Sequence, residues 1–334
     1  MVGTMQAWVE SPLQLLGVLE HAGLEGAGID AVARQPAGFA SSPIVVHPRA
    51  GDAQLESTAA TLHRLLERGE ANESRRALVA VDIALERRVM PAARFVDGGD
   101  WMLGDPFSGQ VQARLARAVP RSLTLVDDGA ITRHLAELLA SGRPLLRPGA
   151  GLGHSPLVRF RRSLADRASR VLRDLAHDHR LEVTTYLTPD DPAVEQLRSI
   201  GARVRSHRFD VTRTMGHAAA AVPAGAVVVL GTAAVVDGAA TAASHLDWVA
   251  EIARTRLVAY APHRREPEWM LRTLRRIPRV HVLDVPVPIE LALAATQRPL
   301  DIVSRPSTAI ETLELVLRGT GSTVQLDPMK KVLA

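Results

Sequence analysis

A few short motifs carry the side chains able to do chemistry. Asp127-Asp128-Gly129 sets two adjacent carboxylates beside a glycine. Aimed into one cleft they repel each other, and one pKa rises toward neutrality, as a general base requires. An aspartate capping a helix explains the same residues without catalysis. His263 is followed by Arg264 and Arg265. A histidine beside two guanidinium groups can bind a phosphate and protonate a leaving oxygen. A solvated basic turn, with Glu266 opening a helix, is the plain alternative. Ser307-Thr308 places two hydroxyls ahead of a helical pattern. Free N–H groups and the helix dipole favour an anion there. Ser307 as an N-cap, with Glu311 as its partner, describes the same geometry.

Two further junctions are weaker. Gly231-Thr232 ends an apolar run, where a glycine lets backbone approach a nucleotide or simply closes a turn. Ser11 precedes Pro12 at the first strand-to-helix junction, which suits an N-cap followed by proline at the first helical position. The remaining histidines show no metal-ligand spacing, and no Walker A pattern occurs. Gly151-Leu152-Gly153-His154 is too short for a dinucleotide fingerprint. No metal site and no cofactor are expected.

The elements that must hold these motifs alternate along the chain. Strands are expected at Met5–Glu10, Ile44–His47, Ala77–Val81 and Ser122–Val126. Helices are expected from Pro12 to about Gly23 and over Ala53–Arg68, Val111–Ala118 and Ile131–Ala140. Residues 142–163 crowd glycine, proline and arginine and read as a hinge, followed by a basic helix over 163–176. The arginines of Arg159–Arg170 can meet an anionic acceptor or a membrane lipid, although a solvated helix face accounts for them as well. A second series follows, with strands at Leu181–Leu187, Arg203–Ser206, Val227–Leu230, Leu257–Ala261, Val280–Leu283 and Asp301–Val303. Helices are expected at Pro192–Ile200, Ala240–Arg254, Pro267–Arg276, Ile289–Ala295 and Thr308–Leu317. The pattern predicts an α/β protein of two Rossmann-like, doubly wound domains, 1–160 and 161–334, facing a central cleft.

Composition narrows the classes. The chain has 334 residues, 46% hydrophobic and 23% charged, an ordinary globular profile for about two domains. It has no cysteine, which excludes a disulfide framework, thiolate zinc and a cysteine nucleophile. All but two of its 40 Lys+Arg residues are arginine (Lys330 and Lys331 are the exceptions), and the net charge is only +4. Aromatics are 3%, too few for a base-stacking platform, so anionic small substrates fit better than nucleic acid. No run long enough to span a bilayer and no secretory leader is visible. A cytoplasmic enzyme is expected.

Taken together, Ser-Pro-Leu-Gln from Ser11, Asp-Asp-Gly from Asp127, the His263 motif and Ser307-Thr308 occur in a telling order. The chain resembles the bacterial sialyltransferases of the two-Rossmann-domain GT-B kind, including lipooligosaccharide sialyltransferases and capsule polysialyltransferases. Their shared motifs are an acidic-acidic-Gly triplet, a His-Pro pair and a Ser-Ser/Thr pair. The likeness runs from Ser11 to Thr308 and rests on order and placement, since each motif is short.

The resemblance implies a metal-independent, inverting transfer of a nonulosonic (sialic) acid from a CMP-sugar to a hydroxyl of a glycan or other acceptor. It implies Asp127 as general base, with Asp128 and Gly129 shaping its loop. It implies that His263 binds the donor phosphate and assists departure of CMP, with Ser307 and Thr308 on the same phosphate. Arg264, Arg265, Gly231, Thr232 and Ser11 would lie on the donor side. The chain departs from the family at Arg264, where proline usually follows the histidine; this bears on which CMP-sugar is used. The implied setting is cell-envelope polysaccharide synthesis, cytoplasmic, with peripheral association at the inner face of the membrane. Two alternatives stand beside it: a similar enzyme using a UDP- or TDP-sugar, and a non-catalytic homologue in envelope biosynthesis.

Overall fold

The computed structural model describes residues 5–31, 44–48, 52–67, 84–85, 97–127, 131–148, 155–215 and 221–327. The chain divides into two compact units, Met1–Val211 and Thr212–Ala334.

The first unit is built on β1 (Met5–Val9), α1 (Pro12–Ala31), β2 (Ile44–Pro48), α2 (Ala53–Glu67), β3 (Ala84–Leu85), β4 (Asp100–Leu103), α3 (Gly109–Leu115), β5 (Ser122–Val126) and α4 (Ile131–Ala140). It continues through α5 (Pro156–His177), β6 (Leu181–Thr185), α6 (Pro192–Ser199), β7 (Arg203–Ser206) and α7 (Asp210–Met215), whose last residues fall past the division. Its seven strands form one sheet in the order β3-β2-β1-β4-β5-β6-β7. Every pairing is parallel. The order reverses between β1 and β4, the crevice where doubly wound sheets take ligands.

Over residues 12–24 helix α1 is buried on nearly all sides, as a helix apolar around most of its circumference should be: Leu15, Leu16, Val18 and Leu19 are at most 1% exposed. It lies against β1, β5 and β6. It also runs through Gly23, where a helix end was expected. A Cβ at Gly23 would sit 2.3 Å from a methyl carbon of Val211, so the glycine marks a close approach rather than a cap.

The second unit holds β8 (Val227–Leu230), α8 (Ala242–Thr255), β9 (Val258–Ala261), α9 (Glu268–Leu274), β10 (Val280–Val282), α10 (Ile289–Leu293), β11 (Asp301–Ser304), α11 (Ala309–Val316) and β12 (Thr323–Leu326). The sheet order is β10-β9-β8-β11-β12, again all parallel, with the reversal between β8 and β11. Strands β8 and β9 are buried throughout, as continuous apolar runs in parallel sheets are. Val227, Val229, Val249, Val258, Tyr260 and Leu274 form its core. Each such side chain contributes roughly 1.5–3 kcal/mol on burial.

Two expectations are corrected. The domain boundary expected at 160/161 falls inside the first unit, because β6 and β7 pair onto β5 and extend the first sheet. The hinge read over 142–163 also shortens. Helix α5 begins at Pro156, with Ser155 accepting the N–H of Val158 as its N-cap. Strands β4 and β12 and helix α7 lie where no element was expected. The expected strand Ala77–Val81 falls outside the described residues.

Candidate functional site

Because both sheets are fully parallel, all the strand ends that carry chemistry within a unit share one edge. In the second unit, three adjacent strands present them. β9 leads to His263, β8 leads to Gly231-Thr232, and β11 leads to Arg305 and Ser307-Thr308.

The centre of this edge is a residue expected only to open a helix. Glu266 is 8% exposed. Its Oε1 accepts the Tyr260 hydroxyl at 2.7 Å and the Thr232 N–H at 3.2 Å, and its Oε2 accepts the His263 N–H at 3.1 Å. Burial pushes its carboxyl up to about 7, against these donors, which favour the ionised form. Behind it, His245 Nε2 lies 2.8 Å from the Tyr260 oxygen. Burial, then the nearby Arg305, lowers the His245 imidazole to about 4. A neutral His245 therefore donates to Tyr260, which donates to Glu266. Burial first, and then the Glu266 carboxylate, push the Tyr260 phenol far up, so it stays a donor.

Glu266 also explains Gly231. A Cβ there would lie 2.5 Å from Glu266 Oε2 and 2.6 Å from the His263 nitrogen. The glycine admits the 263–266 turn against the end of β8. Thr232, 3% exposed, donates its N–H to Glu266, and its hydroxyl accepts the Ala234 N–H.

His263 is half-buried, and its Nδ1 accepts the Arg265 N–H at 3.2 Å. That assigns the ring proton to Nε2, which has no partner among the described residues. Burial, followed by repulsion from Arg264 and Arg265, lowers the ring to about 4. Arg264 is exposed. Arg265 forms a fork with Asp237 at 2.5 and 3.2 Å, in solvent. The N-cap is Thr308, which is exposed and makes no side-chain cap; the Ser307 hydroxyl, one residue earlier, accepts the Ala309 N–H at 3.3 Å. The backbone N–H groups of Ser307 and Thr308 meet no acceptor among the described residues.

Between them lies Arg305, passed over in the sequence because its neighbours carried the motif. It is 6% exposed, with its guanidinium carbon 4.9 Å from the Trp248 ring centre. One terminal nitrogen donates to the Ser244 carbonyl at 2.9 Å. Its Nε and Nη1 are buried without a hydrogen-bond partner. A buried guanidinium with unmatched donors is costly unless an anion meets it.

In the first unit, Asp127 follows β5 and is 6% exposed. Its Oδ2 accepts the Thr185 hydroxyl at 2.5 Å, which holds the carboxylate against the end of β6. Asp128 and Gly129 lie outside the described residues. Asp105, after β4, pairs with Arg147 at 2.5 Å. Burial raises its carboxyl against that pairing, helped by Glu10.

Ser11 belongs to the first unit, whereas the other residues expected on the donor side belong to the second. It closes a capping box: its hydroxyl accepts the Gln14 N–H, and Gln14 Oε1 accepts the N–H groups of Glu10 and Ser11. Gln14 also lies over Gly104, where a Cβ would come within 2.1 Å of that amide oxygen.

Among the described residues, no cluster of three or more His, Asp or Glu could hold a metal ion, and no helix is long and apolar enough to cross a membrane. No family model and no curated protein matches the chain.

Proposed function

We propose that the protein is a GT-B-type, metal-independent, inverting glycosyltransferase that moves a nonulosonic acid from a CMP-sugar to an acceptor hydroxyl. One observation carries the reading. Three adjacent parallel strands bring His263, Thr232 and Ser307-Thr308 to a single sheet edge, at the reversal point where such sheets bind ligands.

The donor side follows from the hydrogen-bond inventory. The CMP phosphate gains charge as the glycosidic bond breaks. The Nε2–H of His263 and the unengaged N–H groups of Ser307 and Thr308 are donors suited to that charge. With its pKa near 4, the free His263 ring is neutral at pH 7 and acts by donating a hydrogen bond. The bound phosphodiester anion, gaining its second charge as the glycosidic bond breaks, would raise that pKa, making proton transfer to the leaving group accessible. Arg264 in place of the family's proline adds positive charge beside the phosphate.

On the acceptor side, Asp127 deprotonates the attacking hydroxyl, and the Thr185 hydroxyl orients its carboxylate. The proton passes from the acceptor to Asp127, the acceptor oxygen attacks the anomeric carbon, and CMP leaves. The acceptor is a glycan or another hydroxyl compound, and the setting is cytoplasmic envelope synthesis.

Thermal shift with CMP, UDP and TDP tests the donor. A nucleotide at 100 times its Kd stabilises by about 2.7 kcal/mol. CMP should raise the melting point, and UDP alone doing so would overturn the reading. His263→Ala should weaken CMP binding and turnover together, whereas Asp127→Asn should cut turnover and spare CMP binding. Equal loss of CMP affinity in both variants contradicts this division of labour.

A further inference from the structure

The first two turns of α5 stand out from the rest of the fold. Farther along, Ala165, Ala168, Ser169, Leu172, Leu175 and Ala176 are buried and hold the helix to the unit. Before them the helix is uncovered: Leu157 is 67% exposed and Phe160 is 60% exposed. At 3.6 residues per turn, Leu157, Phe160 and the half-buried Leu164 fall at i, i+3 and i+7, forming one apolar seam. Arg161 and Arg167 flank that seam on either side, and Arg159 and Arg162 continue the positive charge round the helix. Among the described residues, none of these four guanidinium groups has an ion pair or hydrogen bond, whereas that of Arg170, one turn on, is paired with Asp166. No acidic residue occurs between Ser155 and Ala165.

We propose that this end of α5 docks the protein on an anionic phospholipid surface. Leu157 and Phe160 enter the boundary between headgroups and acyl chains. The flanking arginines lay their methylene stems along the apolar layer and hold lipid phosphates with their guanidinium groups. Single exposed apolar residues are ordinary on soluble proteins. The combination here is different: two large apolar side chains in register, bordered by unpaired arginines of one sign. A soluble polyanion would engage the charge and leave the seam unused. The lipid phosphate layer is the partner complementary to both.

The inference stands apart from the sugar-transfer reading, because it requires neither CMP nor turnover. The full-length protein is sedimented with vesicles of phosphatidylcholine alone or with phosphatidylglycerol added. It should partition onto the anionic vesicles, leave the neutral ones largely unbound, and be released by salt. Each of Arg161→Gln and Arg167→Gln should weaken partitioning about fivefold, the equivalent of about 1 kcal/mol per charge at such a surface. Leu157→Gln combined with Phe160→Gln should weaken it by about tenfold or more. Both changes lie on exposed positions, so circular dichroism and melting should match the parent chain. Failure to bind anionic vesicles overturns the proposal. So does binding that survives loss of both apolar side chains while heparin competes it away, since that outcome marks a polyanion site.

Discussion

Replacing Glu266 by glutamine should change stability in a pH-dependent way. The carboxylate receives donors from Tyr260, Thr232 and His263. A glutamine oxygen can keep the first two, and its NH2 then faces the His263 N–H. One buried donor loses its acceptor, at a cost of about 1–3 kcal/mol. Burial raises the Glu266 pKa from 4.5 to about 7, so the fold favours the neutral acid. That contribution is present below pH 4.5 and is lost as pH rises through 7. Integrated over the window, it amounts to about 3 kcal/mol. Glutamine is neutral throughout. At pH 5 the hydroxyl oxygen of the neutral acid can still accept the His263 N–H, whereas an amide nitrogen cannot, so the variant should melt lower, by roughly 2–10 °C for a cost of about 1–3 kcal/mol. By pH 8 the difference should close or invert. Differential scanning calorimetry of both proteins from pH 5 to 8 measures this. A difference constant across that range refutes the reasoning, because the carboxylate would then not titrate near 7 in the fold. CMP affinity should fall about tenfold at pH 8, since the His263 turn loses its tether whichever way the stability balance lies.

Arg305→Met keeps a long side chain over Trp248 and removes the donors that lack partners. Denaturant titration should show stability unchanged or raised by about 1–3 kcal/mol, while the CMP-induced thermal shift disappears. A large loss of stability would contradict the view that the guanidinium is retained for an anion. In the first unit, His207 is 4% exposed, and its Nδ1 accepts the Phe209 N–H. Burial, then Arg208, lowers its ring to about 3. Its neutral form therefore stabilises the fold above pH 6.5, and that stability drains away as pH falls toward 3. His207→Gln should flatten the acid limb of the stability–pH curve, and an unchanged limb would show that this ring does not drive acid unfolding.

Much of the framework was legible where side-chain chemistry acts locally. Val227–Leu230 is a strand by composition alone, and Ser155-Pro156 marks the start of α5 once its cap is recognised. The failures come from contacts distant in sequence. Asp100–Leu103 offers four residues between glycines, with no alternation to read, and is a strand because β1 and β5 pair on either side of it. The glycine- and arginine-rich stretch before α5 looks like a domain hinge, yet β6 returns to the same sheet. Glu266 passes for a surface acid opening α9. Its burial depends on Tyr260 beneath it and on the missing Cβ of Gly231, neither of which local composition reveals. The motif residues of the second unit, by contrast, were found at strand ends as their junction positions implied, because parallel strands leave only one edge for them.

The amide of Gln14 carries a consequence for where phosphate can go. In many nucleotide-binding proteins the first strand-to-helix turn keeps its peptide hydrogens vacant for the ligand. Here the Gln14 oxygen already occupies those of Glu10 and Ser11 and fills the hollow over Gly104. The opening turn of the chain is thus closed by its own side chain, and a charged guest would have to displace the Gln14 amide to reach those two peptide hydrogens.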